Sequence, residues 1–182
     1  MLARDTRRMS TASATSAPQI PALNIGAIVW VERDGNVLLL RAPGSAYPLP
    51  PGGLLEGDEG PDEAARRELL EETGLVPEGP LRLIGAFRAQ RGTQQLLNLT
   101  YACEVAAADV QLSHEHDHFE WVDPAEYRDL AAAVVPKMER ADFRAIGEDL
   151  LRQLDAFLES RVPANPATPD PGIGGPTTDG AR

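Results

Sequence analysis

Cysteine is all but missing from this sequence. Of 182 residues only Cys103 carries a thiol, which excludes an internal disulfide and a multi-cysteine zinc site, and with them any need for an oxidising compartment. A cytoplasmic location is the expectation. Positive charge is also short: 17 Lys and Arg face 28 Asp and Glu, for a formal net charge of −11. Attraction to a nucleic-acid polymer or an anionic membrane needs a positive field, so neither is expected as a partner. An anionic small molecule needs a metal ion between itself and such a protein. Long apolar runs are absent, and nothing approaches the ~20 residues of a membrane-spanning helix.

What is present is ordinary for a folded protein: 42% hydrophobic and 25% charged residues, enough to bury one core. The ends are different. Residues 1–21 are rich in Ala, Ser and Thr and carry Arg4, Arg7 and Arg8 against one acid. They superficially resemble a transit peptide or twin-arginine signal but lack its hydrophobic centre, so a disordered tail is the expectation. Residues 163–182 hold five Pro, four Gly and no aromatic, a composition that neither propagates a helix nor buries a face. One domain over residues 22–162 is expected between the two tails.

Within that domain, residues 24–31 and 37–41 are β-branched and aliphatic runs around Arg33-Asp34-Gly35-Asn36, which reads as a hairpin. Their near-continuous hydrophobicity predicts a sheet covered on both faces. Pro48-Leu49-Pro50-Pro51-Gly52-Gly53 has few amide donors and reads as a rigid loop. Residues 61–73 are almost entirely Ala, Arg, Glu and Leu, with Pro61 at the start and Gly74 past the end, and predict a helix. A second hairpin is expected from residues 81–88 and 97–105 around Gly92, and a further strand at 119–122. Asp123-Pro124 opens a short helix. Phe143, Ile146, Leu150, Leu154, Phe157 and Leu158 mark a terminal amphipathic one. The composition of elements is α/β without internal repeats.

Between Gly53 and Leu75 stand eight acids and two bases, a local net charge of −6. Glu68, Glu71 and Glu72 fall at i, i+3 and i+4 of the expected helix, so their carboxylates share one face at about 5–6 Å spacing. Like charges so placed repel, and a hard divalent cation reverses that term. A Glu-rich helix is more commonly just a solvated face. The context argues otherwise: a Gly52-Gly53 turn allows close backbone approach, Glu59 adds an acid, and Arg67 offers a planar fork to hold carboxylates.

Gly53, five residues, Glu59, seven residues, then Arg67-Glu68-Leu69-Leu70-Glu71-Glu72-Thr73-Gly74-Leu75 resembles the Nudix box at every defined position. The resemblance implies a Nudix fold, an α/β/α sandwich around a mixed sheet. It also implies hydrolysis of a nucleoside diphosphate linked to another moiety with Mg²⁺ or Mn²⁺. Glu68, Glu71 and Glu72 would be metal ligands, joined by the Gly53 carbonyl. Arg67 would orient them, with Glu59 and Gly52 in support. The base would be Glu72 or an acid beyond the box.

That distal acid is expected in Leu112-Ser113-His114-Glu115-His116-Asp117-His118, which concentrates all three histidines. If extended, it would place them on one side at a spacing suited to a transition metal. A solvated loop is the bland reading. By its similarity to the distal segment of Nudix hydrolases, Glu115 is the expected fourth acid or base, and His116 a substrate contact or base. The proline of ADP-ribose pyrophosphatases is replaced by Gln90, and the tyrosine of diadenosine polyphosphate hydrolases is absent near Gly92. This leaves (d)NTP or nucleotide-sugar substrates. Tyr47 is the one aromatic outside a strand that is placed to stack on a base, whereas Phe87, Tyr101 and Trp121 read as core.

Two other classes compete. A nucleotide-sensing regulatory module would append a basic domain or lose box glutamates, and this chain does neither. An isopentenyl diphosphate isomerase needs a catalytic cysteine, whereas Cys103 sits in an alternating strand and reads as a buried hydrophobe. A homodimer is compatible with the family, and the terminal helix would supply its interface.

Overall fold

The computed structural model describes residues 23–45, 48–91, 94–107, 109–139 and 141–161. The two expected tails, Tyr47 and the Gly92 turn lie outside them. In chain order the elements are β1 (Leu23–Arg33), β2 (Asn36–Arg41), β3 (Gly52–Leu54), α1 (Pro61–Thr73), β4 (Arg82–Arg91), β5 (Gln94–Glu104), β6 (His118–Val122), α2 (Pro124–Val134) and α3 (Ala141–Arg161). A 3-10 turn at Val135–Lys137 separates the last two helices. None of these helices is long and apolar enough to cross a membrane.

The strands form one mixed sheet in the order β4-β5-β1-β2-β6, with β3 also against β1. β1 runs parallel to β5 from Leu23↔Gln95 to Glu32↔Glu104, and the other pairings are antiparallel. Alternation along β1 and β2 sends residues to two separate cores. Ala27, Val29, Val31, Leu38 and Leu40 pack with Ala64, Ala65 and Leu69 of α1. Trp30, Val37 and Leu39 pack on the opposite face with Leu150, Leu154 and Phe157 of α3. This is why both runs read as continuously apolar: each residue parity meets a helix layer. Trp30 and Phe157 are fully buried and stacked, with ring centroids 5.5 Å apart.

The first hairpin forms only at its turn. β1 and β2 pair at Glu32↔Val37 and Arg33↔Asn36, around Asp34 and Gly35 at φ 50° and 83°. Upstream, the same edge of β1 is taken by β3, at Gly26↔Leu54, Ala27↔Gly53 and Ile28↔Gly52. The expected rigid loop therefore ends in a short strand. Pro51 contributes its carbonyl, accepting from the Val29 N–H at 2.9 Å. Gly52 closes the approach at φ 155°, where a Cβ would overlap the Ala27 carbonyl oxygen. Only glycine lets the two backbones come so near.

α1 has the expected ends. The Gly60 N–H donates to Glu63 Oε2 at 2.7 Å, Pro61 occupies the first turn, and Gly74 turns left-handed at φ 69°. The Asp123 carboxylate caps α2, accepting from the Ala125 and Glu126 N–H groups. α3 is tied to the sheet by a buried polar knot: Asp149 Oδ2 accepts from Asn98 Nδ2 at 3.2 Å and from Gln153 Nε2 at 2.8 Å.

Candidate active site

Arg67 sits in the middle of the acidic helix face and spends its donors on it. Its Nη2 and Nε reach the two Glu59 oxygens at 2.7 and 3.1 Å. Its Nη1 reaches Glu68 Oε1 at 2.9 Å and Glu71 Oε2 at 3.1 Å. Nη2 also donates to the Leu54 carbonyl at 3.1 Å, so one guanidinium joins α1, β3 and the connecting loop. Such a planar fork fixes carboxylate orientation as well as charge. Hydrogen bonding to Arg67 holds the Glu59 carboxyl below its ordinary value. The Arg67 guanidinium is in turn held charged, first by Glu59.

Glu72 is the buried member of the set, with 6% of its surface exposed. Its Oε2 accepts the Gly52 N–H at 2.9 Å, which couples the box helix to the glycine strand. Burial pushes its carboxyl up to about 7 against that hydrogen bond, and the neighbouring charges of Glu68, Glu115 and Glu71 push the same way. Glu68 is also raised, chiefly by burial. Gly53 abuts Glu68 so closely that a Cβ there would overlap the carboxylate.

The segment after β5 is laid across the end of α1. Gln111 N–H donates to the Thr73 carbonyl at 2.8 Å and Ser113 N–H to the Glu72 carbonyl at 3.2 Å. Residues 114 and 115 then turn, and Glu115 arrives on the wall of a cleft of ≈ 500 Å³ opposite the box. Glu56, Glu68, Glu71, Glu72 and Glu115 line that cleft with Arg67 as the one cation of fixed charge among its described lining residues. A cavity of ≈ 560 Å³ between β6, α2 and α3 is lined by Leu130, Val134 and Leu150 and does not include the box. Convergence of charge, not size, singles out the first.

The histidines do not make the extended trio. His114 lies in the turn and lines the cleft, while His118 begins β6 opposite Arg41. His116 is directed at Glu72, its Nε2 3.7 Å from Glu72 Oε1, with 13% of its side chain exposed. Burial holds its imidazole below the ordinary value despite the acids on either side. Its Nδ1 is buried without a hydrogen-bond partner among the described residues.

The donor set suits a hard divalent cation. It is all oxygen, strongly anionic, and includes the Glu72 carboxyl, whose burial among like charges is relieved by a cation. The side chains have not closed around one point, since among the described residues no three acids, histidines or cysteines are grouped as ligands. Arg67 holds one oxygen each of Glu68 and Glu71. Sequence reasoning assembled the box and Glu115 but did not single out Glu56 or His114. Glu56 stood among the counted acids, while the place of His114 depends on a turn that an extended reading misses. Cys103 is 7% exposed, with burial pushing its thiol up to about 12, as expected of a packing residue.

Comparison with known proteins gives the family. The NUDIX domain matches residues 21–142. A MutT-like protein of Streptomyces ambofaciens is 29% identical over 126 residues, 69% of this chain and 79% of that protein. An RNA pyrophosphohydrolase of Stenotrophomonas maltophilia is 36% identical over 121 residues, covering 55% of this chain and 58% of the relative. The solved structure of a MutT protein from Methanosarcina mazei Go1 superposes with a TM-score of 0.57 at 25% identity, over 79% of this chain and 99% of that one. With the box intact on α1 and the domain match running from residue 21 to residue 142, the chain belongs to the Nudix hydrolase family.

Proposed function

We propose that the protein is a divalent-metal-dependent hydrolase that cleaves the pyrophosphate bond of a nucleoside diphosphate linked to another moiety, with a (d)NTP or nucleotide sugar as substrate. The observation that carries this reading is the convergence of five carboxylates on one cleft with Glu72 buried among them. An arrangement of carboxylates that repels itself has a use when a cation and a polyphosphate arrive together.

Glu68, Glu71 and Glu72, with the Gly53 carbonyl, would hold Mg²⁺ or Mn²⁺. When bound, such an ion polarises the phosphoryl oxygens and cancels their charge. Arg67 keeps Glu68 and Glu71 aimed at the cleft, and Glu59 anchors Arg67 from behind. The Gly52 N–H fixes one Glu72 oxygen. Glu115, on the facing wall, takes the proton of the attacking water. Tyr47, which precedes Gly52 by five positions in the sequence, is assigned to the non-phosphate part of the substrate.

A product-detection screen over dNTPs, NDP-sugars, ADP-ribose, dinucleoside polyphosphates and CoA with Mg²⁺ or Mn²⁺ tests the reading. Turnover of one of the first two classes, lost in chelator and reduced at least ~10³-fold in Glu71→Gln, is expected because the interaction removed contributes several kcal/mol. Undiminished turnover in chelator, or in that variant, overturns it.

A further inference from the structure

His116 is not on the cleft wall, and the charge-bearing side chain it approaches is Glu72. We propose that His116 is a positioning residue for Glu72: its imidazole presents an Nε2–H to Glu72 Oε1 and fixes the carboxylate plane for cation binding. The inference rests on the metal-dependent reading above and adds to it a residue that makes no contact with metal or substrate.

Geometry supports each part. Glu72 Oε2 already accepts the Gly52 N–H at 2.9 Å, and its Oε1 has the His116 Nε2 as a neighbour at 3.7 Å, longer than a hydrogen bond. A donor on each oxygen fixes the carboxylate against rotation and leaves the remaining lone pairs in one direction. The tautomer follows from the surroundings. Nδ1 is buried without a partner among the described residues, and a buried N–H left unpaired is costly. The opposite tautomer would combine that orphan with the Nε2 lone pair aimed at a carboxylate. Protonation at Nε2 turns an N–H toward Glu72 Oε1 and leaves Nδ1 as a buried acceptor. The backbone holds the ring in place: Ser113 N–H bonds the Glu72 carbonyl, and His116 N–H bonds the Ser113 carbonyl at 3.3 Å. The glutamate and the imidazole are thereby carried on one short hydrogen-bonded path. A partner that orients a ligand from behind typically changes metal affinity about 10–100-fold when removed.

The test is calorimetric titration of the full chain with Mn²⁺ alone, beside thermal melts. The amide nitrogen of glutamine reaches roughly where Nε2 lies, and that of asparagine where Nδ1 lies. His116→Gln is therefore expected to bind within about threefold of wild type, while His116→Asn and His116→Ala bind about tenfold more weakly or worse, with melts that stay cooperative. Imidazole ¹⁵N shifts of the metal-free protein should place the proton on Nε2. Equal losses in all three variants make the ring a packing element and overturn the proposal, as do unchanged affinity in His116→Ala or a proton on Nδ1. A wild-type chain that takes up Mn²⁺, loses it in Glu72→Gln and ignores His116 substitutions refutes this inference alone. A wild-type chain that takes up none refutes the hydrolase reading together with it.

Discussion

Glu72 carries a conflict between stability and chemistry in one side chain. Its folded carboxyl sits at about 7 against an ordinary value of 4.5, so between those values the folded chain binds more protons than the unfolded one. The stability it confers is complete below about pH 4.5 and is lost as pH rises through 7. Glu72→Gln keeps an acceptor for the Gly52 N–H and never takes a charge. In chelator at pH 8 this variant should be more stable than wild type, on the order of 1–3 kcal/mol. At pH 4.5 the two should converge. Urea melts at the two pH values check this, and equal stabilities at pH 8 would show that the buried charge costs nothing. The same substitution should abolish Mn²⁺ uptake, a gain in fold stability at the cost of function.

The neighbouring glycines of β3 separate backbone from side-chain constraint. At Gly52 a Cβ would meet the Ala27 carbonyl and the Ile28 Cα, both backbone atoms that cannot retreat. Gly52→Ala should therefore cost roughly 2–4 kcal/mol, as strained packing and backbone do. At Gly53 the overlap is with the end of the Glu68 side chain, which can rotate away. Gly53→Ala should leave the melt within about 1 kcal/mol of wild type while weakening metal binding and turnover, because Glu68 is displaced. A Gly53→Ala protein that unfolds early while binding normally would reverse that assignment. On the far face, Phe157→Ala should cost about 3–5 kcal/mol through the lost stack on Trp30, measurable by denaturant melts.

These elements also show where a linear reading succeeds and where it stops. α1 was legible because its cause is local: composition, Pro61, Gly74 and the spacing of three glutamates all sit within one segment. The second hairpin followed from alternation along its strands, and the two-sided burial of β1 and β2 from their near-continuous hydrophobicity. β3 was not legible, since a Pro-Gly stretch has no strand propensity and pairs only because two glycines permit contact with β1, more than twenty residues earlier. The parallel β1–β5 pairing and the turn at His114 are likewise products of distant contacts. So is the environment of His116, which depends on the segment after β5 being pinned across the end of α1.

Seen whole, the molecule has a net charge of −11 and is expected to act on an anion. Binding an ion that only the folded chain recognises should stabilise it by about 2.7 kcal/mol at a hundred times the dissociation constant. Mn²⁺ or Mg²⁺ should therefore raise the melting temperature of wild type and leave Glu72→Gln where it is, which a melt series over metal concentration checks. Cys103 has a consequence at this same scale. It is the sole sulfhydryl of the chain, buried in the core shared with α1, and burial pushes its thiol up to about 12. An alkylating reagent will find nothing to modify until the sandwich parts, so the rate of adduct formation in the mass spectrometer becomes a built-in clock for how often it does.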